Sequence, residues 1–94
     1  MAAYTMVHVD VHDDEMYAKY AKLATQAAEE FGGEFLVRGG KYLVMEGECK
    51  PRNVILKFKD FDTAVAWYNS ETYKKALEYS NPSSTRDFTI VEGV

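Results

Sequence analysis

From Ala3 to Val11 the chain alternates. Thr5, Val7, Val9 and Val11 make one apolar row, while Tyr4, Met6, His8 and Asp10 make a mixed one. A period of two marks a half-buried strand. The valine row needs cover that a strand cannot give itself, and the next segment supplies it. Met16, Tyr20, Leu23, Ala27 and Phe31 recur at helical spacing, with Tyr17, Ala24 and Ala28 beside them. This predicts an amphipathic helix of about four to five turns. Asp13 is placed to cap its free N–H groups, and Asp14 and Glu15 suit the positive end of its dipole. Gly32-Gly33 stops it, because glycine reaches the left-handed conformation cheaply.

The change of period then repeats. Glu34–Arg38 reads as a short second strand, and Gly39-Gly40 permits a turn or bulge. Tyr42–Glu46 alternates again, either as a hairpin partner or as a continuation of the same bent strand. Gly47–Arg52 reads as a loop, since Pro51 denies a ladder hydrogen bond. Asn53–Lys59 reads as the third strand, with Val54, Leu56 and Phe58 on one side and Ile55 and Lys57 on the other. Asp60 is placed to cap a helix over 61–69, striped by Phe61, Ala64, Val65 and Tyr68. Ser70 is placed to cap a further short helical stretch carrying Tyr73, Ala76 and Leu77. The residues around Pro82, from Asn81 to Ser84, read as a loop. Arg86–Glu92 closes the chain as a fourth strand, with Phe88 and Ile90 on one face.

The order is β-α-β-β-α-β. It predicts an α+β, ferredoxin-like fold with a four-stranded antiparallel sheet and helices on one face. Residues 1–94 read as one domain. So short a chain cannot cover the second sheet face, where Tyr4, Met6 and Ile55 would sit. An exposed apolar face marks an association surface. A homodimer packing sheet on sheet would bury it and leave a ligand-sized space between the sheets.

Charge narrows the partners. The net charge is −4, with acids and bases interspersed, and the lack of a basic stripe argues against nucleic acid. No apolar run reaches the length of a membrane span. No basic n-region precedes an apolar h-region, so a signal peptide is not expected and the protein is read as cytoplasmic. Cys49 is the only cysteine, which excludes an internal disulfide and suits a reduced thiol. Seven tyrosines fit a subunit interface or a polar-lined pocket, because tyrosine serves where one end is buried and the other wet.

Each candidate site residue has two readings. Arg38, ending a strand beside two glycines, can clamp a carboxylate or enolate in the space between the two sheets, or it can pair with Glu46 or brace the turn, in the same subunit or across the dimer. Glu46 with Arg52 can form a buried base or a rim ion pair. His8, Asp10 and His12 share one strand face. No second ligand cluster follows them, so no metal is expected. His8 alone, at mid-strand on the face toward the space between the sheets, suits acid–base work or a hydrogen bond within the dimer interface. Trp67 and Tyr68 point about 100° apart on a helix, so one packs on the sheet while the other covers an edge or a pocket mouth. Tyr68 and Tyr73 can orient a ligand through their hydroxyls or simply pack. Gly39-Gly40 lacks nucleotide-loop spacing, and no cofactor is expected. Cys49 has no array that would make it a nucleophile.

The runs GGEFLVRGG, EG, PR before a strand, and AVAWYNSETY resemble the bacterial family called domain of unknown function 1330. The most specific positions are Gly33, Phe35, Arg38-Gly39-Gly40, Glu46-Gly47, Arg52, Trp67-Tyr68, Ser70 and Tyr73, and the likeness spans nearly the whole chain. Two places depart from the family pattern: Asp14 stands where proline is common, and Lys59-Asp60 where Pro-Ser is. The resemblance implies a dimeric α/β barrel, an architecture shared with small polyketide monooxygenases and muconolactone isomerase-like proteins. It implies no reaction, since fold and chemistry are separable. The expected function is small-molecule binding. A cofactor-independent enzyme moving a proton on a small organic acid or aromatic lies within that scope, with His8 as acid or base. The alternative is a structural or interaction homodimer without catalysis.

Overall fold

A computed structural model describes residues 1–94. The elements are β1 (Ala3–Val11), α1 (Asp14–Glu30), β2 (Glu34–Arg38), β3 (Arg52–Phe58), α2 (Phe61–Tyr68), α3 (Glu71–Ser83) and β4 (Ser84–Glu92). The strands form one antiparallel sheet in the order β2-β3-β1-β4. This is the predicted ferredoxin-like α+β arrangement. The helix starts lie where side-chain caps put them: Asp13 accepts from Met16 N–H, Asp60 from Thr63 N–H and Ser70 from Tyr73 N–H.

The alternating rows sort as their chemistry requires. Thr5, Val7 and Val9 are buried under the helices, opposite Leu56, Val54 and Arg52 of β3. On the other side they meet Ile90, Phe88 and Arg86 of β4. The core is aromatic at one end. Trp67, 1% exposed, has its ring 5.1 Å from Phe58, 4.4 Å from Tyr73 and 6.0 Å from Phe88. The opposite sheet face is uncovered, and Met6 there is 38% exposed. No helix is long and apolar enough to cross a membrane.

Two sequence expectations are corrected. Tyr42–Glu46 is not a strand. The two edges of β3 are already taken by β2 and β1, and positive φ at Gly39, Gly40 and Gly47 turns the chain away from the sheet. The segment instead projects as part of a loop, with Leu43 and Met45 each 80% exposed. The second correction is that α3 runs through Pro82 to Ser83. Proline forfeits one helical hydrogen bond, and the late carbonyls find side-chain donors. Ser83 Oγ donates to Tyr79 O, and Ser84 Oγ donates to Ser80 O. The carbonyl of Ser83 accepts from His12 N–H and Asp13 N–H, tying the helix end to the start of α1.

A β-bulge in β2 matters most for function. Phe35 pairs with Leu56, but the register then shifts, so Val37 pairs with Ile55 and Arg38 with Val54. One extra residue reverses which face the later side chains occupy. Arg38 therefore joins Phe35, Val54 and Leu56 on the helix side of the sheet. The clamp expected from the sequence, by contrast, puts it in a space between two sheets.

Candidate functional site

A cavity of about 80 Å³ lies between the sheet and α1. The sheet contributes Val7, Phe35, Val54, Leu56 and Phe88, α1 contributes Tyr17, Tyr20, Ala21, Ala24 and Thr25, and α2 contributes Trp67. Ala21 and Ala24 keep the helix side of the wall shallow, since a methyl group reaches only a short way toward the sheet. The two charged residues of the lining are both cations, Arg38 and Arg52.

These arginines have no counter-charge. The single ion pair of the structure joins Lys50 to Asp87 on the opposite face. The Arg38 guanidinium lies 3.7 Å over the ring of Phe35, a cation–π contact at the cavity wall. Arg52 stands half-buried opposite Val9, and its Nε is buried without a hydrogen-bond partner. Gly39 makes room for it: a Cβ built there would fall 2.7 Å from Arg52 Nη1, and φ of +72° favours glycine at that position. Trp67 Nε1, also buried, has no partner either. Unsatisfied buried polar atoms are rare in native proteins, and two of the three here belong to residues lining this cavity.

A third arginine sits next to the cavity. Arg86 donates from Nη1 to the Tyr20 hydroxyl at 2.8 Å and from Nη2 to the Tyr73 hydroxyl at 3.4 Å. The two hydroxyls are 2.8 Å apart. Burial, and next the neighbouring Tyr20, hold the Tyr73 hydroxyl far above the usual phenol range. Tyr17 is raised for the same reasons in the same order. The sign for stability follows. Above about pH 10 the unfolded chain loses these protons while the folded chain keeps them, so the unfolded state is favoured as pH rises. The unfolding free energy is expected to fall between about pH 10 and 11, by up to about 1.4 kcal/mol per pH unit from Tyr73, with a smaller part from the less buried Tyr17. Tyr73→Phe should flatten that fall.

The residues singled out in the sequence divide between two faces. Arg38 and Arg52 meet at the cavity. Tyr73 is fully buried behind it, reaching it through the hydroxyl network. Tyr68 is half-buried beside it, its ring 5.0 Å from Phe88 and 5.2 Å from Tyr73. Glu46 is exposed in the projecting loop and pairs with neither arginine. His8 lies on the uncovered face. Its Nδ1 is 2.5 Å from Asn53 Oδ1 and 3.4 Å from Cys49 Sγ, in an open groove with Lys50, Asp10 and Asp87. His12 bonds Thr85 instead of converging with His8, and no three His, Cys, Asp or Glu side chains gather to hold a metal ion. The sheet thus separates His8 from Arg38, because His8 takes the uncovered face of β1 while the bulge in β2 turns Arg38 to the helix side.

Tyr17, Tyr20 and Arg86 escaped the sequence reading. A signal for the last was present. Arg86 has the same parity as Phe88 and Ile90 on β4, so an arginine stood in a row otherwise destined for the interior.

Known proteins bear this geometry out at the level of fold. A protein of unknown function from Rhodopseudomonas palustris superposes with a TM-score of 0.79 at 15% identity, over 99% of this chain and 82% of its own. A dimeric ferredoxin-like protein of unknown function from Jannaschia sp. CCS1 gives 0.79 at 16%, over 99% and 100%. A point mutant of SnoaB, a cofactor-independent oxygenase from Streptomyces nogalater, gives 0.66 at 14%, over 98% and 92%. No curated protein matches the sequence. The family model described as domain of unknown function (DUF1330) matches residues 2–94, and on that match the chain belongs to the DUF1330 family.

Proposed function

We propose that this protein binds a small apolar molecule carrying an anionic group, in the cavity between sheet and α1, and that it does so as a homodimer joined through the uncovered sheet face. The observation that carries the first half is a pair of guanidinium groups, Arg38 and Arg52, at an apolar cavity with no carboxylate beside them. A planar guanidinium fork matches a carboxylate or enolate. Tyr4, Met6, Ile55 and Val91 on the uncovered face, with the apolar loop beside it, support the second half. So do the dimeric ferredoxin-like relatives from Jannaschia and Bacteroides fragilis. SnoaB is described as a cofactor-independent oxygenase, and the fold is therefore compatible with chemistry that needs no resident cofactor.

The cavity of about 80 Å³ is roughly half the ~150 Å³ that admits a benzene ring. A ring-sized ligand must therefore lift the exposed Arg38 side chain off Phe35, and the arginine then closes over the ligand's charge. Benzoate is the simplest probe with both features. Native mass spectrometry with benzoate is expected to give a two-chain species holding up to two benzoates. Binding should also change the emission of Trp67, the chain's sole tryptophan. Benzyl alcohol, which keeps the ring and lacks the charge, should bind at least tenfold more weakly, the difference of about 1.4 kcal/mol that a charge-assisted hydrogen bond supplies. Equal binding of the two would remove the anion role, and a one-chain species would remove the dimer.

A second reading, a homodimer serving only as an interaction module, is favoured by the exposure of Leu43 and Met45. Failure of benzoate to bind, with the two-chain species intact, would move the conclusion there.

A further inference from the structure

We propose that the Tyr20 hydroxyl donates a hydrogen bond to a second oxygen of the bound molecule, and that Arg86 and Tyr73 hold it in that role. The inference deepens the reading of the cavity as the ligand site and rests on it. It specifies the ligand class: an anion that also carries a neutral carbonyl acceptor.

The argument is an accounting of protons. Each phenol has one O–H to donate and two lone pairs to accept with. Arg86 carries only donors, so it donates to both Tyr20 and Tyr73. Between the two phenols, one donates to the other across 2.8 Å. If Tyr20 donated, the Tyr73 proton would need another acceptor. Tyr73 is fully buried, and the hydroxyl of Tyr20 is its only acceptor neighbour. A buried O–H without an acceptor is disfavoured. Either direction leaves one phenol proton unpaired, and donation from Tyr73 to Tyr20 leaves it on the phenol that lines the cavity and spares the fully buried one. The Tyr20 oxygen then accepts two hydrogen bonds, one from Arg86 and one from Tyr73. Its own proton is the free end of the network, and Tyr20 lines the cavity.

That arrangement is chemically directed. Two donors on its oxygen, one of them charged, polarise the Tyr20 O–H and strengthen it as a donor. The Arg86 guanidinium also lies 4.8 Å over the Tyr20 ring, which fixes the phenol against the strand. A preorganised donor in an apolar cavity is suited to a carbonyl oxygen that gains negative charge. Arg38 and Arg52 serve the ligand's permanent charge, and Tyr20 serves the oxygen whose charge can grow.

The test compares benzoate with 3- and 4-acetylbenzoate, which add a carbonyl acceptor at two positions on the ring. In the parent protein at least one acetylbenzoate should bind about five- to tenfold tighter than benzoate, the worth of one hydrogen bond. In Tyr20→Phe the acetyl advantage should disappear, with the acetylbenzoates binding no tighter than benzoate does in that same variant. Infrared difference spectra of the carbonyl-labelled ligand should show the ketone stretch at lower frequency in the parent complex than in the Tyr20→Phe complex. Tyr73→Phe keeps the donor and removes one of its supports, so it should reduce both the advantage and the frequency difference without abolishing benzoate binding. This variant decides the matter if Tyr20→Phe does not fold. No acetyl advantage in the parent, or an advantage and frequency unchanged by either substitution, overturns the proposal. Absence of benzoate binding in the parent overturns the cavity reading itself, and this inference with it.

Discussion

Arg52→Met is expected to leave the folded protein at least as stable as the parent while weakening benzoate about 10- to 100-fold, the loss of one charged hydrogen bond of about 1.5–3 kcal/mol. The two halves of this result follow from one fact. Arg52 is half-buried with an orphaned Nε and no carboxylate in reach. A cation in that position has surrendered part of its hydration and gained no partner in return, so an apolar residue of similar length removes a cost. Methionine also adapts its shape to an irregular site. Ligand binding has the opposite sign, because the anion is the missing partner. Loss of binding with stability retained is the signature of a residue held for function, since functional sites commonly carry strain the fold would shed. The check is a urea unfolding curve beside a Trp67 fluorescence titration. A loss of more than about 2 kcal/mol in stability would identify Arg52 as a structural brace of the Gly39 turn and count against its role as a clamp, since surface changes without such a role stay within about 0.5 kcal/mol.

Much of the fold was legible because period and capping are local properties. Asp13, Asp60 and Ser70 mark their helices without help from the rest of the chain, and the valine row of β1 must be covered by something. The segment Tyr42–Glu46 misled because alternation is necessary for a strand and does not create a partner edge, and the edges of β3 were already filled. The extension of α3 through Pro82 depended on serine hydroxyls arriving from Ser83 and Ser84, a detail that the bias before proline overrides in a sequence reading. The site was legible in its parts and wrong in its assembly. Arg38, Arg52 and Tyr73 were singled out, yet Arg38 was assigned to the open face, in company with His8. Strict alternation from Phe35 gives that answer, and a single bulged residue reverses it. Nothing in Leu36-Val37 announces the bulge, because it depends on how β2 meets β3. The tyrosines of α1 were read as packing. Their hydroxyls acquire meaning only when Arg86, sixty-six residues along from Tyr20, comes to lie beside them.

Trp67→Ala tests whether the cavity and the core are one structure. The indole is 1% exposed and touches rings from β3, α3 and β4. Truncating a buried tryptophan typically costs about 3–5 kcal/mol, against a total of about 5–15 kcal/mol for a domain, with small domains at the low end. The variant is expected to lose most of its unfolding free energy, read by circular dichroism in urea. Trp67→Phe keeps one aromatic ring and deletes the orphaned Nε1 donor, so it should cost clearly less than the alanine variant. The shape of the site adds a sharper consequence. Trp67 is part of the cavity wall, and its removal joins the vacated space to the existing void instead of opening a separate one. The enlarged chamber should then accept 2-naphthoate, which the parent is too small to hold. Binding confined to the folded state raises stability by RT ln(1 + [L]/Kd), about 2.7 kcal/mol at a hundredfold excess over Kd. Rescue of Trp67→Ala by 2-naphthoate, absent in Trp67→Ala combined with Arg52→Met, would join the aromatic core and the guanidinium pair into a single binding site. Rescue that is indifferent to Arg52 would show a filled void and nothing more, because a hydrophobic void accepts an apolar ring whatever stands at its mouth.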